Sequence, residues 1–447
     1  MRIRNTTPIK EYLKNRRNKL FFQLPSNWFW GRDVRQNYAR LMKTQYWDYE
    51  KLRALQMRKL SKLLDFVYQH VPFYQKTFEK LRIHPEDIRE LKDLEILPII
   101  NKTIVNKNYD DFIPDYKFQD LKVGETSGSS GEPLTFRKHP NFISIKAAAN
   151  YRQMHWAGMG RYDKTVAFGS PIRSKGDAAF FKRDYKSKTW HFNTRDLGDA
   201  NLQKIINAIN EIKPDIIYGF FSILNLLANH LKYNDIRLKK YPKFIATTAE
   251  LPDDEQRKNI EEVLRAQIYD WYGMTEGCAS AAQCEYGSYH INMEYCYVET
   301  VERDGIKSIV GTNLDNPAFP LIRYDTGDSG QFLNNNCPCR RGLGVMKATA
   351  GRIRNFLRAP NGKRYFVPNS FSQRAEAEVR EAQIIQNTID SIDVRVVKRG
   401  NFGSEDMSKL KGWLEWYLEG QFKINVHFVG KIERKFRGKY QAVICNL

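Results

Sequence analysis

Between residues 46 and 70, apolar side chains recur at helical spacing: Tyr49, Leu52, Leu55, Leu60, Leu63, Leu64 and Val67. This predicts a long amphipathic helix. Val71 and Pro72 end it, because proline disfavours helical backbone in the residue before it. A second helix is expected over 141–157, where Ile143, Ile145, Ala147 and Met154 fall. Beyond it, short apolar runs typical of buried strands (165–169, 214–219, 244–248 and 267–271) alternate with helical patterns. Leu202, Ile205, Ile206, Ile209 and Ile212 form the apolar stripe of one such helix, and 222–232 and 253–264 carry two more. Strand–helix alternation predicts a mostly parallel sheet covered on both faces. From about residue 290 the texture changes to short β-type runs, 295–301, 308–312 and 321–324, which predict a small β-rich subdomain. After Arg352 strands are expected near 394–397 and 423–429, flanking a helix near 407–420. The expected class is α/β: a large multi-sheet domain with a β-rich subdomain over residues 1–352, and a separate small α+β domain over 353–447.

Composition narrows the partners. With 447 residues, 42% of them hydrophobic and 13% aromatic, the chain can bury a core and does not read as disordered. The longest apolar run, 216–228, is broken by Gly219, Ser222 and Asn225 and is too short to cross a bilayer. The first twenty residues contain seven Lys/Arg and no long apolar stretch, so no secretory signal is read and a cytoplasmic location is expected. The net charge of +21 admits nucleic acid, an anionic membrane or an anionic substrate. The basic residues are spread along the chain without a zinc-finger, RNP or helix-turn-helix pattern, so no specific nucleic-acid partner is expected. The N-terminal cluster Arg2, Arg4, Lys10, Lys14, Arg16, Arg17 and Lys19, with Trp28, Phe29 and Trp30 after it, suits peripheral contact with anionic lipid.

Candidate chemistry is concentrated in a few segments. TSGSSGEP at 126–133 packs hydroxyls and glycines between two strand-like runs, 121–123 and 134–136. Glycine lets backbone N–H groups approach a ligand and Ser/Thr hydroxyls add donors, which suits a polyphosphate. It is not a Walker A loop, because no Gly-Lys pair in the chain is followed by Ser or Thr. YGMTE at 272–276 follows a predicted parallel strand, at the end where ligands bind, and its carboxylate could hold Mg²⁺ beside phosphates. YDTGD at 324–328 reads as a tight turn ending in a carboxylate able to grip two ribose hydroxyls. Gly351-Arg352 offers a guanidinium. Alone, TSGSSGEP has a plain alternative as a surface turn and YDTGD as an Asx-type hairpin turn, and YGMTE by itself carries little weight.

In this order TSGSSGEP, TTAE (247–250), YGMTE, YDTGD and GR resemble the core motifs of the adenylate-forming enzymes, and most closely the phenylacetate–CoA ligase branch with its CapK-like proteins. HVPFYQKTF (70–78), ILPIINK (96–102), IIYGFFSILNLLA (216–228) and CPC (337–339) extend the resemblance over nearly the whole chain. It implies an adenylate-forming N-terminal domain and a small C-terminal lid. It further implies that Thr126, Ser127, Gly128, Ser129, Ser130 and Gly131 wrap the ATP phosphates. Ala249 and Glu250 lie along the adenine and Tyr272 stacks on it, Thr275 contacts the α-phosphate, Glu276 holds Mg²⁺, and Asp328 and Arg352 bind the ribose. Lys439, in Arg437-Gly438-Lys439, would neutralise charge as the mixed anhydride forms, with Lys435 its nearest rival. The family's acidic hinge residue is matched by Asn355.

A carboxylate attacking the α-phosphorus brings two anions together, so catalysis needs fixed N–H donors, a metal and a lysine rather than a protein nucleophile. No GxSxG hydrolase motif competes. These residue types are consistent with what the resemblance implies: ATP-dependent activation of a small carboxylic acid as acyl-AMP. By the same resemblance the acyl group would then pass to the thiol of CoA or to an amine or hydroxyl of a sugar, the latter in capsule or surface polysaccharide synthesis. The alternatives are a scaffold that keeps the fold without the chemistry, favoured by Asn355 alone, and a nucleic-acid binder, favoured by charge alone.

Six cysteines, 278, 284, 296, 337, 339 and 445, are too unevenly placed for a disulfide framework. Cys284, His290, Cys337 and Cys339 supply two ligand pairs suited to a closed, structural Zn²⁺ site. Cys278 is the substitute should His290 point away.

Overall fold

The computed structural model describes residues 23–126, 133–169, 180–194, 197–250, 253–303, 305–334, 337–352, 356–434 and 440–447. The first predicted helix spans Tyr49–His70, with Leu52, Leu60, Leu63, Leu64 and Val67 on its buried face. Gln56 shares that face and donates to the Cys296 carbonyl (2.8 Å), which satisfies a polar group that burial would otherwise penalise. Pro72 stops this helix and occupies the first turn of the next, Pro72–Leu81, where its missing N–H costs nothing.

The strands in chain order are β1 (Lys122–Glu125), β2 (Thr135–Lys138), β3 (Thr165–Ala167), β4 (Phe181–Asp184), β5 (Thr189–Phe192), β6 (Ile216–Gly219), β7 (Phe244–Thr248), β8 (Ile268–Gly273), β9 (Ser280–Gln283), β10 (Tyr289–Ile291), β11 (Cys296–Arg303), β12 (Ile306–Asn313), β13 (Tyr324–Leu333) and β14 (Val345–Arg352). β1 and β2 form a hairpin. The other twelve form one sheet, in the order β11-β12-β13-β14-β10-β9-β8-β7-β6-β3-β5-β4. β5, β3, β6, β7 and β8 are mutually parallel, as the strand–helix alternation requires. The helices between them, Asp199–Ile212, Phe221–Tyr233 and Asp254–Leu264, bury Ile205, Ile209, Leu224 and Ile260 with Val166, Ile217, Ile245 and Ile268 from the strands. The β-rich run is an antiparallel meander continuous with this block, so the two textures of the sequence are halves of one sheet. The halves are joined by the short β10–β14 ladder, Tyr289 opposite Met346 and His290 opposite Val345.

The C-terminal part carries β15 (Phe356–Arg358), β16 (Arg364–Phe366), β17 (Val379–Gln386), β18 (Ser391–Lys398), β19 (Lys423–Phe428) and β20 (Val443–Cys445). The last four form a sheet in the order β19-β18-β17-β20, with a separate core of Ile384, Val394, Val396, Leu410 and Leu414. Leu410 and Leu414 come from the helix Ser404–Tyr417.

A buried ion pair ties the N-terminal helices to the sheet. Arg152, on the helix Pro140–Trp156, meets Glu294 at 2.5 Å with side chains 0% and 1% exposed, and Asn292 and Thr44 complete the cluster. Removing one partner strands the other charge in the core. Arg152→Met is therefore expected to cost about 3–5 kcal/mol in denaturant unfolding, and Arg152→Met with Glu294→Met to recover most of it. A loss below about 1 kcal/mol in the single variant would contradict this account.

Candidate functional site

The segment 272–276 leaves the carboxyl end of β8 and turns back at once, the Gly277 N–H donating to the Met274 carbonyl at 3.2 Å. Gly277 sits at φ +74, and a Cβ there would lie 2.3 Å from the Phe142 ring, so only glycine makes this turn. The turn fixes Glu276, which is buried. Its carbonyl accepts from Asn313 Nδ2 (2.7 Å), and its carboxylate accepts from the Tyr324 hydroxyl (3.4 Å). Burial raises the pKa of that hydroxyl, which keeps it a donor. Lys146 donates to the carbonyls of Met274 (2.6 Å) and Thr275 (3.3 Å), bracing the turn from the helix Pro140–Trp156.

YDTGD is not the tight turn its composition suggests: it is the first half of β13. The glycine instead sits in a bulge at φ +71, where the stretch from Asp325 to Ser329 of β13 lies opposite only Val310 to Ser308 of β12. Such a bulge re-aims a side chain without ending the strand. Asp328 lies opposite Arg352 in register, and one of its carboxylate oxygens accepts from the Tyr272 hydroxyl at 3.1 Å. Asp328 and Tyr272 stand four strand spacings apart in the sheet order, about 19 Å if the sheet were flat. A direct hydrogen bond across that interval means the sheet bends over on itself, and the concave side holds 272–276 against 324–328.

Thr126 closes the base of the hydroxyl-rich loop. Its N–H donates to the Leu134 carbonyl and its hydroxyl accepts from the Leu134 N–H, both at 2.9 Å. Just beyond β2, Asn316 accepts from the His139 N–H (2.8 Å) and donates to the Arg137 carbonyl (3.0 Å). The hairpin is thereby joined to the segment whose Asn313 holds Glu276. Ser127, Gly128, Ser129, Ser130, Gly131, Asn355, Lys435 and Lys439 lie outside the described residues. Ala249 and Glu250 directly follow β7, Ala249 at φ +68. The Glu250 carboxylate accepts from the Ser222 N–H (2.8 Å), the Ser222 hydroxyl (3.0 Å) and the Tyr440 N–H (3.3 Å). Sequence reasoning missed Lys146 and Asn313, because a lysine in an alanine-rich helix and a β-strand asparagine carry no motif, and it gave Tyr324, though inside YDTGD, no role.

The second constellation converges as the sequence suggested. Ligand atoms of Cys284, His290, Cys337 and Cys339 all lie within 4.8 Å of one another. Cys284 Sγ and Cys337 Sγ are 3.6 Å apart, and Cys339 Sγ is 3.1 Å from His290 Nε2. A tetrahedron with Zn–S of about 2.3 Å has S···S edges of about 3.8 Å, which the Cys284–Cys337 separation matches, so the donor set suits zinc. His290 Nδ1 faces the Leu343 carbonyl at 3.3 Å, an arrangement that presents Nε2 to a metal. Burial lowers the His290 pKa to about 4, so the imidazole is neutral, as a ligand must be. Cys278 is fully buried and stands outside this set.

Four similarities bear on this chain. Residues 364–446 match the CapK C-terminal domain family. The chain is 25% identical over 429 residues to Protein CapK of Staphylococcus aureus, covering 91% of this chain and 94% of that one. It is also 25% identical over 324 residues to the phenylacetate-coenzyme A ligase of Thermus thermophilus, covering 69% of this chain and 72% of that one. Among solved structures, the 2-hydroxyisobutyryl-CoA ligase complex with 2-HIB-AMP, in its postadenylation state, shares the fold. Its TM-score is 0.70 at 17% identity, over 90% of this chain and 91% of that one. The architecture of a large sheet domain followed by a small α+β unit agrees with that solved structure. The chain is an adenylate-forming ligase that is similar, over most of its length, to CapK and the phenylacetate–coenzyme A ligases.

Proposed function

We propose that the chain activates a small carboxylic acid with ATP. The acid's oxygen attacks the α-phosphorus, the bond to the bridging oxygen of the β-phosphate breaks, and pyrophosphate leaves with the electron pair. The acyl carbon of acyl-AMP is then attacked by the thiol of CoA, or by an amine or hydroxyl of a sugar destined for a surface polysaccharide, and AMP departs. The observation that carries this reading is the pair of hydrogen bonds, Tyr272 to Asp328 and Tyr324 to Glu276, that draw two distant segments into one cleft at the carboxyl end of β8.

In that cleft Tyr272 would stack on the adenine, with its hydroxyl and ring angle fixed by Asp328. A carboxylate offers about four lone-pair sites, so Asp328 can hold Tyr272 and still accept from a ribose hydroxyl, with Arg352 beside it. Thr275 would meet the α-phosphate from the turn braced by Lys146. Glu276 would hold Mg²⁺, which shields the phosphates' charge when bound. The hydroxyl-rich loop 126–131 would wrap the phosphates, and Lys439, or Lys435, would neutralise the developing charge. These residues would belong to a nucleotide domain over 1–352 and a lid over 353–447. Zinc at Cys284, His290, Cys337 and Cys339 would be structural, since four protein ligands leave no open position.

The net charge of +21 supports anionic acceptors, which CoA, nucleotide sugars and lipid-linked sugars all are, and favours contact with an anionic membrane surface. No helix among the described residues is long and apolar enough to cross a membrane. Incubation with ATP, Mg²⁺ and a panel of carboxylic acids is expected to release pyrophosphate and to leave acyl-AMP detectable by mass spectrometry. Adding CoA or amino sugars should then discharge it and identify the acceptor. Silence across a broad panel would overturn the reading.

A further inference from the structure

We infer that Glu250 is a positioning residue, whose carboxylate fastens the small domain over the nucleotide end of the sheet for the adenylation step; the inference rests on the proposed acyl-AMP chemistry. Its two carboxylate oxygens serve different partners. Oε2 accepts from the Ser222 N–H at 2.8 Å, and Oε1 from the Ser222 hydroxyl at 3.0 Å. Ser222 lies in the first turn of the helix Phe221–Tyr233, whose leading N–H groups have no acceptor within the helix and whose end carries partial positive charge. Glu250 is thereby anchored as an anion on the large domain. Oε1 also accepts the Tyr440 N–H at 3.3 Å, across 190 residues of chain.

A second link runs through the same serine. Arg434 Nη1 donates to the Ser222 hydroxyl at 3.4 Å, while its Nη2 pairs with Glu381 of β17, both side chains nearly buried at 7% and 12% exposure. One Glu–Ser pair of the large domain therefore takes hold of Arg434 and Tyr440, the residues that bracket Lys435 and Lys439 in the sequence. Among the described residues the two parts also meet where Arg380 donates to the Leu197 carbonyl and Arg399 lies over the Tyr233 ring (4.8 Å), both away from residues 434–440. The ion pairs Arg374 to Asp253 (3.6 Å) and Arg380 to Asp199 (3.7 Å) are longer and have a solvent-exposed partner, so they contribute little.

The position of Glu250 gives this contact its consequence. It follows β7 at the end of the parallel strands where ligands bind. The same residue can thus present backbone to the adenine and carboxylate to the small domain. A swing of the small domain toward acyl transfer has to break the Tyr440 and Arg434 links, so Glu250 acts on adenylation and not on the second step.

The test is Glu250→Ala, with Arg434→Gln as an independent break of the second link, in the full-length protein. Hydrogen exchange of the Tyr440 amide is expected to accelerate at least about tenfold in Glu250→Ala, the loss of one hydrogen bond to a charged group. The kcat for ATP–pyrophosphate exchange should fall about 10–100-fold with the KM for ATP little changed, and transfer from supplied acyl-AMP should keep its wild-type rate. Arg434→Gln should shift the same rate in the same direction. An unchanged Tyr440 amide would overturn the fastening. A raised KM for ATP at constant kcat would make Glu250 a nucleotide contact instead, and equal losses in both half-reactions with a lowered Tm would make it merely structural. Should the wild type prove silent with every acid, the proposed chemistry falls and takes the adenylation role with it, while the amide measurement still decides whether the fastening exists.

Discussion

Asp328→Ala is expected to weaken ATP binding about 10²–10³-fold by isothermal titration. Hydrogen bonds to a charged group contribute about 1.5–3 kcal/mol each, and two ribose hydroxyls converging on one carboxylate bring the loss into that range. The same change releases the Tyr272 hydroxyl, which Asp328 holds at 3.1 Å, so the proposed stacking platform also loses its anchor. Tyr272→Phe separates the two effects. It keeps the ring and loses only the hydroxyl, which contacts Asp328 and not the nucleotide, so its loss should stay near tenfold or below. Wild-type affinity in Asp328→Ala would remove that residue from the site.

Metal analysis is expected to return about one zinc per chain, and Cys337→Ser or prolonged chelation to lower stability by several kcal/mol. The four candidate ligands straddle the weakest seam of the large sheet. Cys284 follows β9, His290 lies on β10, and Cys337 and Cys339 lie between β13 and β14, while the β10–β14 ladder pairs only two residues on each strand. A metal there replaces missing hydrogen bonds by coordination bonds. Burial pushes the Cys284 thiol up to about 12, so without a cation it stays protonated at neutral pH. Protons therefore compete with the metal, and zinc release should grow as pH falls. A metal-free protein of unchanged stability would dispose of the site.

Much of this was legible in the sequence where local rules decide. Strand–helix alternation over 165–271 gave the parallel block because each element there has its own period and its own buried stripe. The helix predicted over 222–232 appears as Phe221–Tyr233, and the strand predicted over 244–248 as Phe244–Thr248. YDTGD was misread because glycine beside aspartate signals a turn in isolation, whereas neighbours on both sides hold it in a strand and convert the glycine to a bulge. The strand foreseen over 321–324 begins only at Tyr324, because Arg323 sits at φ +53 to send its guanidinium to Glu299 and to the Glu95 and Leu97 carbonyls. The Cys/His set was visible because metal ligands announce themselves by residue type. Lys146 and the Glu250–Tyr440 link were not, since contacts across 128 and 190 residues leave no local trace.

The bent sheet also dictates an order of events during synthesis. The parallel block and Tyr272 leave the ribosome first, and Asp328 follows only with the meander. Each half is built from neighbouring segments and can collapse early, but the groove between them needs the β10–β14 ladder and has no existence in a partial chain. A nascent chain that ends between Leu333 and Val345 therefore has both walls of the cleft and no ladder joining them. On the proposed reading, nucleotide stabilises only a chain in which that ladder has already closed.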